Sequence, residues 1–419
     1  MKRHYVQGKH KNARNDLQFW LFSGNNTLNP LNDLTVLELA SVLAGPGVGQ
    51  FFAELGARVI KVENIKTGGD VTRSWRSRDE NTDDRSAYFC SVNWGKQSIA
   101  VDLSTEEGRE IVQRLSKKSD IVIASFKPGD AARLGVDYAS LSFDHPGLIY
   151  GQITGYGSAN PRVGYDAIIQ AEAGFMYLNA EPGGQSLKMP VALMDILAGH
   201  HLKEALLLAM LEKERTGRGK LVEVSLIDAA VASLANQATN YLVAGVTPEK
   251  QGSAHPNIAP YGEVYETADE QEILLAVGTD KQFDQLCNIL NISDLSNDIR
   301  FRDNPSRVRH RAELTQVLRQ AIACYDAKDL MARLSEKQVP AGLVRKLPDV
   351  FSDPATIDMM LSGHGFRGVR TFALRDDELV SSHLLPPPHF GEHTESLLLD
   401  MLKFSPSDVI SLRSKGVVQ

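Results

Sequence analysis

Between Thr35 and Val62 the chain writes a strand, a turn, a helix and a second strand in quick succession. Thr35 to Leu39 (Thr-Val-Leu-Glu-Leu) reads as a strand and Ser41-Val-Leu-Ala-Gly-Pro-Gly47 as a tight turn. Val48 to Leu55 reads as a helix that Gly56 stops, and Arg58 to Val62 as the second strand. So compact a βαβ unit implies a parallel sheet and places the chain in the α/β class. Further strands are expected at Ser98–Leu103, Asp120–Ala124, Leu148–Ile153 and Leu221–Leu226. A helix opens at Ser104-Thr105-Glu106-Glu107, with a hydroxyl cap and acids in its first turn, and runs to Lys117. Glycine-containing loops follow Leu39, Ala124 and Ile153. Ligands of open parallel sheets bind outside the carboxyl ends of strands, so these three loops mark the place to look for one.

The first turn, Gly45-Pro46-Gly47-Val48-Gly49, is not GxGxxG, and Pro46 lacks a backbone donor. That argues against a dinucleotide, even with Glu63 ending the second strand. The segment Asn64–Asn93, with Gly68-Gly69-Asp70, Arg73 and Trp75, is polar and long for a loop in a compact domain, a length that usually carries function.

Past the strand at Leu221 a long helix is expected from Asp228 to Val243. The texture then changes to a hairpin around Asp269 and helices at Lys281–Leu290 and Arg311–Tyr325. The resulting division is an N-terminal extension (1–32), the first part of a large domain (33–225), a linker helix (226–250), a smaller α+β domain (251–338) and a return to the large domain (339–419). A helix from Glu395 to Leu402 is expected near the end. The net charge of −7 argues against general nucleic-acid binding. Three scattered cysteines, Cys90, Cys287 and Cys324, show neither metal spacing nor a disulfide framework, which fits a reducing cytoplasm. No apolar run reaches the ~18 residues of a membrane span.

Chemistry concentrates between Gly164 and Gly199. Tyr165 and Asp166 open a segment that soon turns apolar, and Asp195 stands between the run Val191–Met194 and a helix from Ile196 to about Lys213, ended by Thr216-Gly217. Asp is a preferred helix N-cap, because its oxygen accepts an orphan backbone N–H. The same position suits a nucleophile kept ionised and aimed outward by the helix amides. Local physics leaves both readings open. Asp166 is likewise readable as a cap.

Several segments together resemble the class III coenzyme A-transferases, the CaiB/BaiF family that includes formyl-CoA and carnitine CoA-transferases and α-methylacyl-CoA racemase. The matching pieces are Leu37–Pro46, Leu55–Glu63, Asn93-Trp-Gly-Lys-Gln-Ser98, Phe126-Lys-Pro-Gly129 with Arg133-Leu-Gly135, and Gly155-Tyr-Gly157. Gly164-Tyr-Asp166 with Gln170-Ala171, Thr216-Gly-Arg-Gly219 and Gly391-Glu-His-Thr394 complete them. The resemblance implies a Rossmann-like large domain built from both chain ends, a smaller inserted domain, and two chains interlocked as a homodimer. It implies Asp195 as the nucleophile of a double displacement that moves CoA from an acyl-CoA to a carboxylic acid. CoA and acyl-CoA are then substrates, and no metal or tightly bound cofactor is called for. By the same matching the CoA groove draws on Val42, Leu43 and Ala44, on Val101, Asp102, Leu103 and Ser104, on Ser125, Phe126 and Lys127, and on Arg133 and Leu134. Tyr165 and Asp166 are counted with these binding residues, Tyr165 as an orienting hydroxyl or ring over the thioester.

Three departures stand out. Where formyl-CoA transferases carry a phosphate-binding arginine this chain has Asn64, leaving Lys66 or Arg73 to substitute. Their first-turn glutamine is Leu43 here, and their glycine-rich lid has no counterpart around Gly252–Pro256, which argues against formyl-CoA and oxalate. His255, Tyr261 and the small domain are expected to shape the choice of donor and acceptor, with His255 equally readable as a structural loop histidine. In the racemase branch a histidine stands where this chain has Tyr165. A phenol, with an ordinary pKa of roughly 10 against about 6.5 for imidazole, is a poor base at neutral pH. Transfer is therefore expected over racemisation or over mere CoA binding.

Overall fold

The computed structural model describes residues 30–250, 252–374 and 384–419. Most of the expected N-terminal extension lies outside the described residues. Six strands form one parallel sheet: β1 (Thr35–Leu39), β2 (Arg58–Asn64), β3 (Lys96–Val101), β4 (Ile121–Ala124), β5 (Ile149–Thr154) and β6 (Leu221–Ser225). Their order is β3-β2-β1-β4-β5-β6, so the winding reverses between β1 and β4. At that reversal the chains leaving the two strands go to opposite sides, which opens a crevice at their carboxyl ends.

Helices cover both faces. Helix α1 (Ala44–Glu54) and the 24-residue α2 (Leu193–Thr216) pack on one, where Phe51, Phe52, Leu202 and Leu206 meet Val36, Val59 and Ile123. On the other, the helix Glu106–Ser116 and the C-terminal segment join the core through Ile111, Leu115, Leu398 and Leu412. The chain end is stitched on by Asp102 N–H donating to Val417 O at 2.9 Å and by an antiparallel bridge from Val101 to Val418. Beyond α2 a three-stranded antiparallel sheet, β7 (Tyr261–Glu266), β8 (Glu272–Ala276) and β9 (Ala341–Leu343), builds its own core with Phe283, Leu286, Leu314 and Leu330. Because Ala341–Leu343 pairs with β8, the chain leaves this sheet later than residue 339.

Several elements differ from the sequence reading. Helix α1 begins at Ala44, so Gly45-Pro46-Gly47 forms its first turn and the actual bend is Ser41–Leu43. Proline is tolerated there because first-turn amides have no intrahelical acceptor. Strand β3 begins at Lys96, and its inward lysine and serine are polar because buried acids meet them, which disguised its start as loop. The helix expected over Asp228–Val243 is two, Leu226–Ala232 and Ala235–Leu242, broken where Ala235 takes φ +47°. The helix expected over Glu395–Leu402 is a short turn, Thr394–Ser396, that widens into π geometry over Leu397–Met401.

Under the crevice lies a buried ion network. The Lys96 ammonium donates to Glu38 at 2.7 Å, to Pro46 O at 2.9 Å and to Asn93 at 2.9 Å. The Lys61 ammonium sits 2.9 Å from both Glu38 and Asp70 and donates to Ala40 O. Burial works against the Lys61 charge, but the charges of Asp70 and Glu38 outweigh it and raise the pKa. Gly49 is fixed by the same network, since a Cβ there would stand 1.9 Å from a Glu38 oxygen. Replacing Glu38 by Gln leaves two buried ammonium groups short of an anion, which costs on the order of 3 kcal/mol. Denaturant unfolding should show the midpoint falling accordingly.

Candidate active site

Three backbone segments converge on the crevice. The first is the bend after β1, where Val42 holds φ +73°, a left-handed conformation that is strained for a β-branched side chain. The Asp70 carboxylate accepts the Val42 N–H at 3.3 Å and the Thr72 N–H and hydroxyl at 3.0 and 2.8 Å, and so fixes this bend from below. The second is the chain after β4, Ser125-Phe126-Lys127. The third follows β5, where Gly155 passes so close to Gly164 that a Cβ on Gly155 would lie 2.6 Å from the Gly164 Cα. That contact delivers Tyr165 and Asp166.

Asp166 is the first residue of a short helix, Asp166–Glu172, and its carboxylate reaches outside that helix. It accepts the N–H of Met194 at 2.8 Å and the Gln170 amide at 2.8 Å. Asp166 therefore supplies the side-chain cap for α2, whose own N-cap, Ala192, has none. Asp195 sits in the first turn of α2, three places past the N-cap, and makes no hydrogen bond among the described residues. The capping reading of Asp195 does not survive. Its side chain is 8% exposed, and burial, with the nearby Asp166 charge second, pushes its pKa up to about 7.

Asp195 forms part of the wall of two openings. An inner cleft of about 330 Å³ is lined by Ser41–Gly45, Ser125–Pro128, Ile153–Gly155 and Arg162–Tyr165 together with Val71, Trp75 and Asp195. On the opposite side a back cleft of about 310 Å³ is lined by Leu43, Ala44, Asp195, Gly199, His200, Lys203 and Val369–Thr371 among others. Leu43, Ala44 and Asp195 are common to both. A third, outer cleft of about 580 Å³ continues from the inner one through shared Ser41, Val71 and Phe126, and reaches Asn64–Gly69, Asp102–Ser104, Arg133 and Leu134.

Of the residues assigned to the site from sequence, Val42, Leu43, Ala44, Ser125, Phe126, Lys127, Tyr165 and Asp195 line the inner cleft. Asp102, Leu103, Ser104, Arg133 and Leu134 line the outer one. Two do not line either. Val101 is completely buried in β3, packed in the sheet core, and the Asp166 carboxylate is spent on the Met194 amide. The two cations offered as phosphate partners also separate. Arg73 is buried against Glu63 at 2.7 Å, Pro388 O at 3.1 Å and the Phe89 ring at 3.7 Å, so its charge is committed. Lys66 is well exposed at the outer cleft, beside Asp102 at 3.0 Å and the Ser104 hydroxyl. His255 lines none of these clefts; its ring accepts the Asn257 N–H at 3.1 Å and meets Tyr261 edge-on.

The residues assigned to the site from sequence lacked several contributors. Val71 and Trp75, from the long loop, line the inner cleft, and Tyr88 meets Trp75 edge-to-face at 5.1 Å. The Tyr88 hydroxyl is raised by burial and then by the charges of Asp195, Asp166 and Asp70. Lys203, two turns along α2 from Asp195, was hidden in an apolar helical repeat. Among the described residues one group with metal-ligand potential occurs, Asp83, Asp84 and His389. It is exposed, and its carboxylates already meet Arg85, Arg73 and His389.

The matches to known proteins run along nearly the whole chain. The family model for CoA-transferase family III matches residues 31–394. A succinate–glutarate CoA-transferase of Agrobacterium fabrum is 40% identical over 392 residues, covering 90% of this chain and 96% of that one. A succinyl-CoA:glutarate CoA-transferase of Mus musculus is 33% identical over 403 residues, covering 94% and 91%. Among solved structures, a CaiB/BaiF family protein from Brucella suis superposes with a TM-score of 0.78 at 40% identity, covering 89% of this chain and 99% of that one. A parallel six-stranded sheet with an open crevice at its switch point, and a match of this extent to one family, lead to one conclusion: the chain belongs to CoA-transferase family III and is an enzyme of that class.

Proposed function

We propose that this enzyme moves coenzyme A between short dicarboxylic acids through a covalent intermediate on Asp195. The observation that carries the reading is a buried carboxylate that has no hydrogen-bond partner among the described residues, set in the wall shared by two clefts. The relatives named for succinate, glutarate and their CoA esters support the dicarboxylate class.

In the first step the ionised Asp195 attacks the acyl-CoA carbonyl; the C–S bond breaks, giving a mixed anhydride and CoA thiolate. The thiolate attacks the aspartyl carbonyl, releasing the first acid and leaving an aspartyl-CoA thioester. The acceptor carboxylate attacks that thioester, giving a second anhydride and thiolate again. Thiolate attack on the acceptor acyl carbon then forms the new acyl-CoA and restores Asp195. Each step exchanges one acyl bond for another, and no net proton or electron is needed. The first-turn amides of α1, at Ala44 and Gly45, border the inner cleft beside Asp195 and suit the charge that develops on the carbonyl oxygen. Phe126, between the inner and outer clefts, suits the adenine or pantetheine, with Lys66 and Arg133 toward the phosphates.

Racemisation has less to support it. Tyr165 is 60% exposed at the cleft edge, and Asp166 is held by the Met194 amide, so no second buried base faces Asp195 from this strand end. The three free cysteines fit a cytoplasmic setting.

Asp195→Ala should abolish transfer, and hydroxylamine added with succinyl-CoA should trap Asp195 as its hydroxamate, read by peptide mass spectrometry. A branched acyl-CoA in deuterated water should gain no α-deuterium; rapid exchange with no trapped adduct would sink the transferase reading. Because the reactive form is the carboxylate and burial raises its pKa, kcat/KM for the donor should fall about tenfold per pH unit below about 7 and level off above it. Asp166→Asn keeps an acceptor for the Met194 amide but removes the charge, so that break should move to lower pH.

For the groove, Phe126→Ala and Lys66→Ala should each weaken CoA binding by roughly tenfold in calorimetry, on the scale of one stacking or charge contact. Unchanged affinity in both would place CoA elsewhere.

An interlocked homodimer is part of the same reading. Its support is apolar surface left open on α2 and the helices after it, at Leu208, Leu211, Tyr241, Leu242 and Val243. Light scattering at low micromolar protein should give twice the chain mass; a folded monomer would contradict this.

A further inference from the structure

The back cleft holds a charge that no carboxylate among the described residues pairs with. Lys203 is 8% exposed, yet among the described residues it has no carboxylate within ion-pair distance. Its ammonium makes one long hydrogen bond, to Thr371 O at 3.4 Å, and lies 5.1 Å from the centre of the Phe51 ring. The acid whose charge acts on it, Glu54, is fully employed. Glu54 accepts from Gln50 at 2.9 Å, from the Thr371 N–H and hydroxyl at 2.8 and 3.1 Å, and from the Phe372 N–H at 3.2 Å. Burial therefore dominates and lowers the Lys203 pKa to about 8, which still leaves it protonated at neutral pH. A buried ammonium is costly unless an anion meets it. Among the described residues the acid that acts on it is already used, and Asp195 is the attacking group, so an anion carried by the substrate would complete the pair.

The geometry says which anion. Lys203 and Asp195 line the same cleft on the same helix. Eight residues of helix rise about 12 Å, and a helical side chain leans toward the N-terminus, which brings the ammonium closer to Asp195 than that. An acyl chain held at Asp195 by its reacting end would meet Lys203 with a carboxylate a few carbons further along. Gly199, one turn from Asp195, and Gly47 leave the floor of the cleft without side chains, and Arg370 adds a second cation to its lining. On the groove reading above, CoA reaches Asp195 from the inner cleft, which leaves the back cleft for the acyl chain.

We propose that the back cleft is the acyl subsite and that Lys203 is its specificity residue, pairing with the distal carboxylate of a dicarboxylic acyl group in both halves of the transfer. The proposal rests on the transferase reading above and adds to it where the acid lies and what selects it. A monocarboxylic acyl chain would leave Lys203 buried and unpaired, so the site discriminates against it by more than the loss of one contact.

The test compares succinyl-CoA with butanoyl-CoA, which differ by a carboxylate in place of a methyl group. Hydroxylamine-dependent CoA release is followed for the full-length enzyme and its variants. Wild type should prefer succinyl-CoA, and Lys203→Met should lower the succinyl-to-butanoyl ratio of kcat/KM by about 30-fold or more, the range for removing the charged partner of a desolvated carboxylate. Lys203→Arg should restore part of that ratio. Ser91→Asp, an exposed change in the lining of the same cleft, should also lower it by putting a negative charge there that repels the distal carboxylate of the substrate. A ratio unmoved by both Lys203→Met and Ser91→Asp would overturn the subsite while leaving the transferase intact. So would a wild type without preference. Absence of hydroxylamine-dependent release from either thioester would instead overturn the covalent reading, and the subsite with it.

Discussion

The buried Glu38–Lys61–Asp70 chain holds the active-site wall in shape. Glu38 projects from β1, Lys61 from β2, and Asp70 from the loop after β2, so one line of charges ties two adjacent strands to the bend between β1 and α1. That bend contains Val42 in a left-handed conformation, which costs of order 1–3 kcal/mol and persists only if its surroundings dictate it. Asp70 does so by taking the Val42 N–H, and Lys96 anchors the far side through Pro46 O in the first turn of α1. Leu43 and Ala44, the two residues common to the inner and back clefts besides Asp195, are thereby held between two fixed points. A loop resting only on apolar contacts would not hold backbone amides to the tolerance that acyl chemistry demands.

Asp195 contrasts with that network. The acids below the crevice are saturated with donors, and Asp70 is held ionised by Lys61 and Thr72 despite its burial. Asp195 has burial without donors, beside a second carboxylate. Two carboxylates a few residues apart in space thus do different work. Asp166, carrying the Met194 amide, is the structural one, and Asp195, stripped of partners, is the reactive one. A nucleophile bonded by amides would be ionised but sluggish, since each hydrogen bond must break or weaken as the oxygen attacks. Leaving it bare exchanges some ionisation at pH 7 for intrinsic reactivity.

The sequence made the sheet legible because its strands are short apolar runs punctuated by glycine and proline, and the winding follows from βαβ spacing alone. It made the acid legible through family motifs and not through local chemistry, for Asp195 and Asp166 look equally like caps until the Met194 amide is seen to choose Asp166. What stayed hidden were residues whose roles depend on distant partners. Lys96 looks like a loop lysine until Glu38 is placed beside it, and Arg73 looks like a free phosphate ligand until Glu63 and Phe89 enclose it. Trp75 and Tyr88 reach the site only because an irregular loop folds back through short 3₁₀ turns, which carry no periodic signal. Val101 erred the other way: it neighbours true groove residues in sequence, but strand alternation sends it into the core while Asp102 and Ser104 emerge at the strand end.

Helix α2 links these levels. Its apolar residues run all round it, so hydrophobic periodicity says little about which side faces what. One stripe, Leu202, Leu206 and Ala209, packs on the sheet, and another, Leu208 and Leu211, is left open. Against that background a lysine at 203 is an anomaly that packing alone does not explain, because a buried Leu or Met would fill the volume without a desolvation cost. The same helix carries the nucleophile in its first turn, where its amides favour a negative charge. Among the charged residues of this helix only Asp195 and Lys203 are buried, and both line the back cleft. A helix that buries one acid and one cation, neither of them ion-paired among the described residues, has the organisation expected of an element that meets its counter-charges in the substrate.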